Sequence, residues 1–291
     1  MTIGNFDGVH LGHQTICNNS YTIARQRGLQ FLICTFEPHP MELFAKDRAP
    51  ARLTLPERKQ QLLSALRPDV LLMQNFTWEF ASMQPQQFVI DAVVKAMNAR
   101  VIVVGKNFRF GKARAGDIDM LKHMGRTNGF EVIAEDLLST TDEVISSTRI
   151  RKHIIDGDVA SAARLLNRHH ELPGKVVTGK QVGNKIGFPT INISAEAVLV
   201  PGDGIFAAFV DVGNDTNVPA AVYIGDRPTL AHGHSIEAHL LNFNRNAYGN
   251  NAVIQFVKKI RDNHKFSTVD QLKKQIADDV IAIRETLESC S

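Results

Sequence analysis

The chain has 291 residues, of which 44% are hydrophobic, and a formal net charge of +3. This length and apolar content suffice for two domains of ordinary size. The small net charge, with basic residues spread along the chain instead of forming a stripe, argues against a nucleic-acid-binding protein. No apolar run approaches the roughly 18 residues of a membrane span, so a membrane is not expected as a partner either.

The cysteines are few and widely separated, at Cys17, Cys34 and Cys290. Their odd number and spacing suggest neither a disulfide framework nor a zinc site, which favours a reducing compartment. The N-terminus lacks a basic region followed by an apolar stretch of the secretory type. We therefore expect the protein in the cytoplasm.

The first thirteen residues predict a strand, a glycine-rich turn and a helix start. Gly4, Phe6 and Gly8 lie in the turn, and His10 and His13 lie at the helix start. Such a turn lets the backbone approach a ligand, and the free N–H groups of a helix N-terminus favour phosphate. The two imidazoles, three residues apart on one helical face, could then reach the same phosphoryl group.

The same pattern also fits a turn with polar caps. A metal site is less favoured, since two histidines at this spacing lack the Glu of H-E-x-x-H and have no nearby third ligand.

Short apolar runs alternate with helical patterns up to residue 167. We predict buried strands at 29–36, 70–73, 101–105 and 130–134 and helices at about 12–27, 56–66, 85–98 and 117–128. Gly28 is a plausible cap for the first of these helices. This alternation predicts a doubly wound, Rossmann-like parallel sheet with its ligand at the carboxyl ends of the strands.

A second polar cluster follows this region at another apparent helix start. It consists of Ser146, Ser147, Thr148 and Arg149, and helices are predicted near 147–155 and 158–167. Its hydroxyl groups and guanidinium make it a second candidate site for phosphate.

After residue 168 the alternation of strand and helix patterns ends, and strand patterns predominate. Residues 169–174 have the composition of a connection, and strands are predicted at 175–178, 205–212, 220–224, 236–242 and 252–260. Turns rich in Gly, Asn, Asp and Pro separate them, which favours an antiparallel barrel. A final amphipathic helix is expected to pack on the barrel rather than to bind a partner. We predict two domains, 1–168 and 169–291.

Five motifs in this order resemble the bifunctional prokaryotic riboflavin kinase/FMN adenylyltransferases, also called FAD synthetases. They are the HxGH turn, Thr35-Phe36-Glu37-Pro38-His39-Pro40, Val104 to Gly111, Ile145 to Arg151, and Gly187-Phe188-Pro189-Thr190-Ile191-Asn192. The resemblance implies a nucleotidyltransferase domain followed by a riboflavin kinase domain. Only Met1, Thr2 and Ile3 precede the glycine turn, whereas family members usually carry a further segment upstream, so the start is expected to be internal or the chain truncated.

The resemblance implies roles for residues of the first domain. Gly4, Phe6 and Gly8 would bind ATP, and His10 and His13 would donate hydrogen bonds to its α-phosphate. The cluster from Ser146 to Arg149 would hold the β- and γ-phosphates. Asn107, Phe108 and Phe110 would lie at the flavin, although a turn-forming Asn and core-filling rings remain alternatives.

For the second domain, the resemblance implies that Glu237 accepts the proton of the ribityl 5′-hydroxyl. Thr190 and Asn192 would hold Mg²⁺, with a strand end and a turn-forming Asn as the alternative. Gly179, Gly183 and Gly187 would form a loop over the phosphates.

Several residues near this second site depart from the family pattern. Asn184 stands in place of arginine, Asn242 in place of aspartate, Ala247 in place of leucine and Asn263 in place of glutamate. These changes leave open an adenylyltransferase whose second domain is a weak or inactive kinase that binds flavin.

A flavin-responsive regulator is a further alternative that the absence of a basic stripe disfavours. If the protein is the bifunctional enzyme that the resemblance implies, we expect ATP, riboflavin and FMN as small-molecule partners and Mg²⁺ as cofactor. We also expect a monomer or weak homo-oligomer.

Overall fold

The computed structural model describes residues 1–44, 49–136, 138–140, 143–179, 187–226 and 234–290. The chain divides into two compact units. The first comprises Met1–Pro50 and Thr54–Ser146, and the second comprises Ala51–Leu53 and Ser147–Ser291. Within the described ranges, no helix is both long and apolar enough to cross a membrane.

The first unit is built on a parallel sheet in the order β3-β2-β1-β4-β5. Its strands are β1 (Thr2–Ile3), β2 (Leu32–Glu37), β3 (Val70–Asn75), β4 (Val101–Gly105) and β5 (Glu131–Glu135). A short antiparallel pair follows, β6 (Ser139–Thr140) with β7 (Glu143–Val144). The parallel order confirms the predicted doubly wound sheet.

Helices cover the sheet. They are α1 (Leu11–Gln26), α2 (Pro40–Phe44), α3 (Pro56–Ser64), α4 (Trp78–Ala81), α5 (Pro85–Gln87) and α6 (Ile118–Asn128). Pro56 and Pro85 occupy first-turn positions, and Gly28 follows α1 with φ 64°, as expected of its cap.

The structure differs from the sequence prediction at residues 85–98. There α5 continues as a π-helical stretch, Phe88–Ala96, instead of a regular α-helix. The wider turn places Phe88, Val89 and Val93 together in the core.

The sheet is buried on both faces because its strands alternate between two apolar clusters. Ile33 packs with Phe31 and Leu63, whereas the next residue, Cys34, packs with Ile102 in the other cluster. Burial on both faces explains why these strands read as continuous apolar runs. The short strand β1 is central: Thr2 pairs with Ile33 on one side and with Val103 on the other.

The second unit contains a closed antiparallel barrel in the order β10-β11-β12-β9-β8-β13. The strands are β8 (His170–Val177), β9 (Ile191–Ala195), β10 (Gly204–Val212), β11 (Asp215–Asp226), β12 (His234–Leu240) and β13 (Asn251–Arg261). The barrel confirms the predicted second architecture.

One prediction about this unit is wrong. Residues 170–174 are not a connection but the first half of β8, which pairs with β13. The composition was misleading because Pro173 cannot donate to a strand ladder. Its carbonyl nevertheless accepts a hydrogen bond from Glu196 N at 2.9 Å, and Leu172 is fully buried.

Helices α7 (Ser147–Ile155), α8 (Val159–Leu166) and α9 (Val269–Glu288) belong to the second unit. Ile283 and Leu287 of α9 pack on Ala207 and Val257, as the apolar stripe of this helix predicts. Helix α7 is tied to this unit by a hydrogen bond from Gly202 N to Ile154 O of 3.1 Å. The compact units thus divide before α7, and the domain boundary at 168/169 stays a prediction.

Candidate active sites

The glycine turn follows β1 at the carboxyl edge of the parallel sheet. Gly4 N donates to Cys34 O at 3.1 Å, and the chain then reverses through positive φ angles at Phe6 (50°), Gly8 (81°) and Val9 (39°). Phe6 and Val9 are 3% and 1% exposed, so their side chains anchor the turn in the core. A Cβ at Gly4 would lie 3.0 Å from the Phe6 ring, which explains the glycine.

His10 and His13 stand together at the start of α1. His10 is the N-cap residue, and its Nδ1 accepts a hydrogen bond from His13 N at 3.4 Å. In that bond the neutral His10 ring carries its proton on Nε2. The two rings are stacked, with centroids 3.5 Å apart, and Phe6 packs edge-on against His13 at 5.2 Å.

The environment of His13 keeps its ring neutral. Burial lowers the pKa of His13 well below its ordinary value, and the neighbouring His10 lowers it further. His13 Nδ1 is buried and lacks a hydrogen-bond partner in the part of the chain that the structure describes. A pair of neutral imidazoles can donate hydrogen bonds to an anion without forming a tight ion pair with it.

The structure brings Ile145, the residue before the second polar cluster, close to the start of α1. A Cβ at Gly12 would lie 3.2 Å from His10 Cε1 and 3.8 Å from Ile145 O, so the chain just before Ser146 runs beside the start of α1. Ser147, Thr148 and Arg149 form the first turn of α7 in the second unit. Their part in phosphate binding stays a prediction.

The predicted flavin residues follow β4, which is adjacent to β1. The order of the sheet reverses between these two strands, and ligands of such folds bind at that point. Asn107 is exposed and Phe108 is half-buried. Phe110 is 5% exposed, and its ring stacks on Phe108 at 5.7 Å and lies tilted against Phe88 at 5.6 Å. Phe110 therefore fills core, and Phe108 offers more ring surface.

Sequence reasoning missed a set of aromatic rings at the ends of β2 and β3. Phe36, Phe76 and Phe80 contact one another at 5.5–5.8 Å, and Phe76 also meets Phe44. Phe44 and Trp78 are 50% and 59% exposed and lie edge to face at 5.4 Å. Their signal was the Phe-x-Trp-x-Phe pattern directly after β3.

The residues predicted for the second site come together on the barrel. Glu237 of β12 pairs with Asn192 of β9. The hydroxyl groups of Thr190 and Ser235 donate to the two carboxylate oxygens of Glu237, at 3.4 and 3.1 Å. A carboxylate held by hydrogen bonds and flanked by amide and hydroxyl oxygens suits both proton transfer and a hard cation.

The predicted glycines of this site differ in what surrounds them. A Cβ at Gly179 would lie 2.0 Å from Asn192 Nδ2, so only glycine lets the backbone pass Asn192. Gly187 has φ 92°, and no atom of the described residues lies within 4 Å of a Cβ built there. Gly183 and Asn184 lie outside the described residues.

Glu237 and Thr190 line a cavity of about 630 Å³ between the outer surface of the barrel and α9. Its apolar wall includes Phe188, Ile205, Ala221, Leu272 and Ile276. At its rim, Arg261 makes a bidentate ion pair with the buried Asp279, at 2.7 and 2.8 Å. One polar end and one apolar wall fit an amphipathic aromatic ligand.

The departures from the family pattern are accommodated locally. Asn242 Oδ1 accepts from Arg284 at 3.1 Å, and Asn263 Nδ2 donates to Ile224 O at 2.8 Å. Ala247 is buried and lines a smaller cavity of about 180 Å³, together with Thr190 and Tyr248.

Family models match both parts of the chain: FAD synthetase over residues 1–149 and riboflavin kinase over residues 166–287. Relatives described as bifunctional riboflavin kinase/FMN adenylyltransferase include that of Escherichia coli (strain K12), 37% identical over 98% of this chain and 91% of its own. The Haemophilus influenzae relative is 34% identical over 96% of this chain and 91% of its own.

A solved structure from Streptococcus pneumoniae, described as a macrolide-efflux protein, shares the fold. Its TM-score is 0.88 at 30% identity, covering 97% of this chain and 93% of that one. Because both halves match and the relatives align along almost the whole chain, the protein belongs to the family of bifunctional riboflavin kinase/FMN adenylyltransferases, ATP-using transferases that make FMN from riboflavin and FAD from FMN.

Proposed function

We propose that the two reactions take place at two separate sites: adenylyl transfer at the glycine turn after β1, and riboflavin phosphorylation at Glu237. The observation that supports this division is that each compact unit contains its own pair of interacting candidate residues. The stacked His10 and His13 lie in the first, and the hydrogen-bonded Thr190 and Glu237 lie in the second.

In the first reaction, a phosphate oxygen of FMN attacks the α-phosphorus of ATP. The bond to the β-phosphate oxygen breaks, and pyrophosphate leaves. No protein nucleophile is needed, so catalysis rests on alignment of the two anions and on stabilisation of charge at the α-phosphate. His10 and His13 donate to that phosphate beside the backbone of Gly4, Phe6 and Gly8.

The β- and γ-phosphates need cationic and hydroxyl partners of their own. The family resemblance assigns them to the cluster from Ser146 to Arg149, and that assignment stays a prediction. The guanidinium of Arg149 can bind two phosphate oxygens at once. For the flavin we assign Asn107 and Phe108, with Phe110 supporting Phe108 from the core. The exposed rings of Phe44 and Trp78 at the same edge of the sheet offer a further stacking surface.

In the second reaction, Glu237 accepts the proton of the ribityl 5′-hydroxyl as that oxygen attacks the γ-phosphorus of ATP. The products are FMN and ADP. The cavity beside Glu237 would hold the flavin against its apolar wall. The phosphate-binding loop predicted from Gly179, Gly183 and Gly187 stays a prediction.

Mg²⁺ fits the residues at this second site. Thr190 and Asn192 offer hard oxygen donors, and Gly179 leaves room for the Asn192 amide. When bound, the ion would offset charge on the phosphates of ATP. Thr190 and Asn192 would bind the ion, and Glu237 would accept the proton of the ribityl 5′-hydroxyl.

Two parallel reactions test the division. Purified protein is incubated with ATP and Mg²⁺ and either riboflavin or FMN, and the flavins are separated by chromatography. The parent should form FAD in both reactions. His10→Ala should form FMN from riboflavin but little FAD, and Glu237→Gln should form FAD from FMN but little FMN from riboflavin. Loss of both activities in either variant would contradict two separate sites.

The second domain is an active kinase on this proposal, since both family models match. FAD from FMN with no product from riboflavin would instead favour a flavin-binding module. The cytoplasmic location and the monomeric or weakly oligomeric state stay predictions. Gel filtration with light scattering tests the oligomeric state.

A further inference from the structure

Thr54, which no motif singles out, forms a closed set of hydrogen bonds with the glycine turn. Its backbone N and its Oγ1 donate to Asp7 Oδ1, at 3.3 and 3.4 Å, and its Oγ1 accepts from Gly8 N at 3.3 Å. Thr54 and Asp7 are 6% and 7% exposed. Bonds in so buried a place are costly to break, because the groups left behind are not hydrated.

The part of the turn that Thr54 holds is conformationally demanding. Asp7 lies between Phe6 and Gly8, both at positive φ, and Val9 follows at a third positive φ. A non-glycine residue in this region persists only where its surroundings fix it. His10 comes next and caps α1, so the position of both imidazoles depends on the conformation of this turn.

Thr54 is itself firmly placed, since it precedes a helix with a buried anchor. Helix α3 begins at Pro56, and Lys59 lies 5% exposed one turn into it. Lys59 Nζ donates to Phe36 O at 2.8 Å and to Glu37 Oε2 at 3.0 Å. The segment 54–59 therefore contacts both the turn after β1 and the last residues of β2.

We propose that Thr54 is a positioning residue for FMN adenylylation. Its hydroxyl group fixes the turn from Asp7 to Val9, so that His10 and His13 meet the α-phosphate in a reactive geometry. This inference rests on the proposed placement of adenylyl transfer at the glycine turn. Thr54 contacts no substrate in this account and acts through Asp7 and Gly8.

The test compares Thr54→Val, which keeps the shape but removes the hydroxyl, with Thr54→Ser, which restores it. In the full-length protein we expect Thr54→Val to lower kcat for FAD formation from FMN about 10-fold, because small displacements of catalytic groups are costly. The KM for ATP should change less than twofold. Thr54→Ser should return kcat to within about threefold of the parent.

Phosphorylation of riboflavin in the second unit is the internal control and should be unchanged in both variants. Thr127→Val is the matched control, because it removes an exposed hydroxyl that donates to Met124 O at 3.0 Å in α6. Thermal unfolding shows whether a variant is folded at the assay temperature. If Thr54→Val folds poorly there, Thr54→Ser and Thr54→Ala are compared at a lower temperature.

Parallel assay of His10→Ala separates the two proposals. If His10→Ala abolishes adenylylation and the folded Thr54→Val retains the parental kcat, the role of Thr54 is wrong and the site stands. If His10→Ala is fully active, the site itself is wrong. Equal loss of both enzyme activities in Thr54→Val, without rescue by serine, would show a general structural role and overturn the inference.

Discussion

The imidazole rings of His10 and His13 lie face to face with centroids 3.5 Å apart and an angle of 19° between their planes. Two protonated rings at this separation would repel each other strongly, whereas two neutral rings attract by stacking. The contact thus agrees with the lowered pKa of His13, which burial causes first and His10 second. A neutral pair can donate to a phosphate through positions fixed before the substrate arrives.

This pKa predicts how stability depends on pH. The folded pKa of His13 lies below its ordinary value, so below about pH 6.5 the unfolded chain binds a proton that the folded chain does not. Stability is therefore present above pH 6.5 and is lost as pH falls below it, by up to about 1.4 kcal/mol per pH unit. His13→Gln should flatten this slope between pH 5 and 6.5, as measured by urea unfolding.

The control for that measurement is His123→Gln, which changes an exposed histidine of α6. An unchanged slope in His13→Gln would mean that His13 is protonated in the folded protein. Fluorescence of Trp78, the single tryptophan of the chain, reports on the first unit in these experiments.

Substitution of Gly12 by alanine should lower the adenylyltransferase activity without lowering stability. A Cβ at this position would lie 3.2 Å from His10 Cε1, so Gly12→Ala should shift the His10 ring by a few tenths of an ångström. Alanine favours the helix by about 0.5 kcal/mol, and stability should stay level or rise. We expect kcat for FAD formation to fall about 10-fold with riboflavin phosphorylation intact. Parental adenylylation in this variant would show that the position of His10 is not critical.

The buried pair of Lys59 and Glu37 predicts a loss of stability. Their side chains are 6% and 22% exposed, and the Lys59 ammonium also binds Phe36 O. Lys59→Met would remove the ammonium that binds Glu37 Oε2 and Phe36 O, at a cost of about 3 kcal/mol in unfolding free energy. The double variant with Glu37→Gln should recover part of this loss. Additive losses in the double variant would contradict direct coupling of the pair.

Glu237 predicts a selective loss of kinase activity. Glu237→Gln keeps the size of the side chain but cannot accept the proton of the 5′-hydroxyl. General-base catalysis contributes about 10²- to 10⁴-fold, so the kcat for riboflavin phosphorylation should fall by that range. Ser235→Ala, which removes one donor to the same carboxylate, should cost far less. A parental rate in Glu237→Gln would remove Glu237 from the mechanism.

Substitution of Gly179 should affect riboflavin phosphorylation through the side chain of Asn192. A Cβ at Gly179 would lie 2.0 Å from Asn192 Nδ2, so Gly179→Ala must displace that amide. We expect a higher Mg²⁺ concentration for half-maximal riboflavin phosphorylation and unchanged adenylylation. Because both changes act on the same side chain, Gly179→Ala and Asn192→Ala should combine to less than the product of their effects. Independent effects would show that Gly179 acts elsewhere.

Local patterns were sufficient to predict much of the fold. Strand β4 spans Val101–Gly105 and helix α7 spans Ser147–Ile155, as the apolar runs and helical periodicity indicated. The prediction failed where local and tertiary preferences conflict. Residues 170–174 contain proline and glycine and resemble a connection, yet closure of the barrel draws them into β8.

The sequence by itself determined the family and the candidate residues for its chemistry, because the HxGH motif, the Pro-Thr-x-Asn segment and Glu237 are recognisable from residue type and spacing. Tertiary structure alone decided how residues distant in the chain meet. Glu237 faces Asn192 because the register of β12 with β9 places them opposite each other. Thr54 reaches Asp7 because Leu63 of α3 belongs to the same core cluster as Phe6 of the turn after β1. Such contacts depend on how elements far apart in sequence pack together, which no local pattern of side chains records.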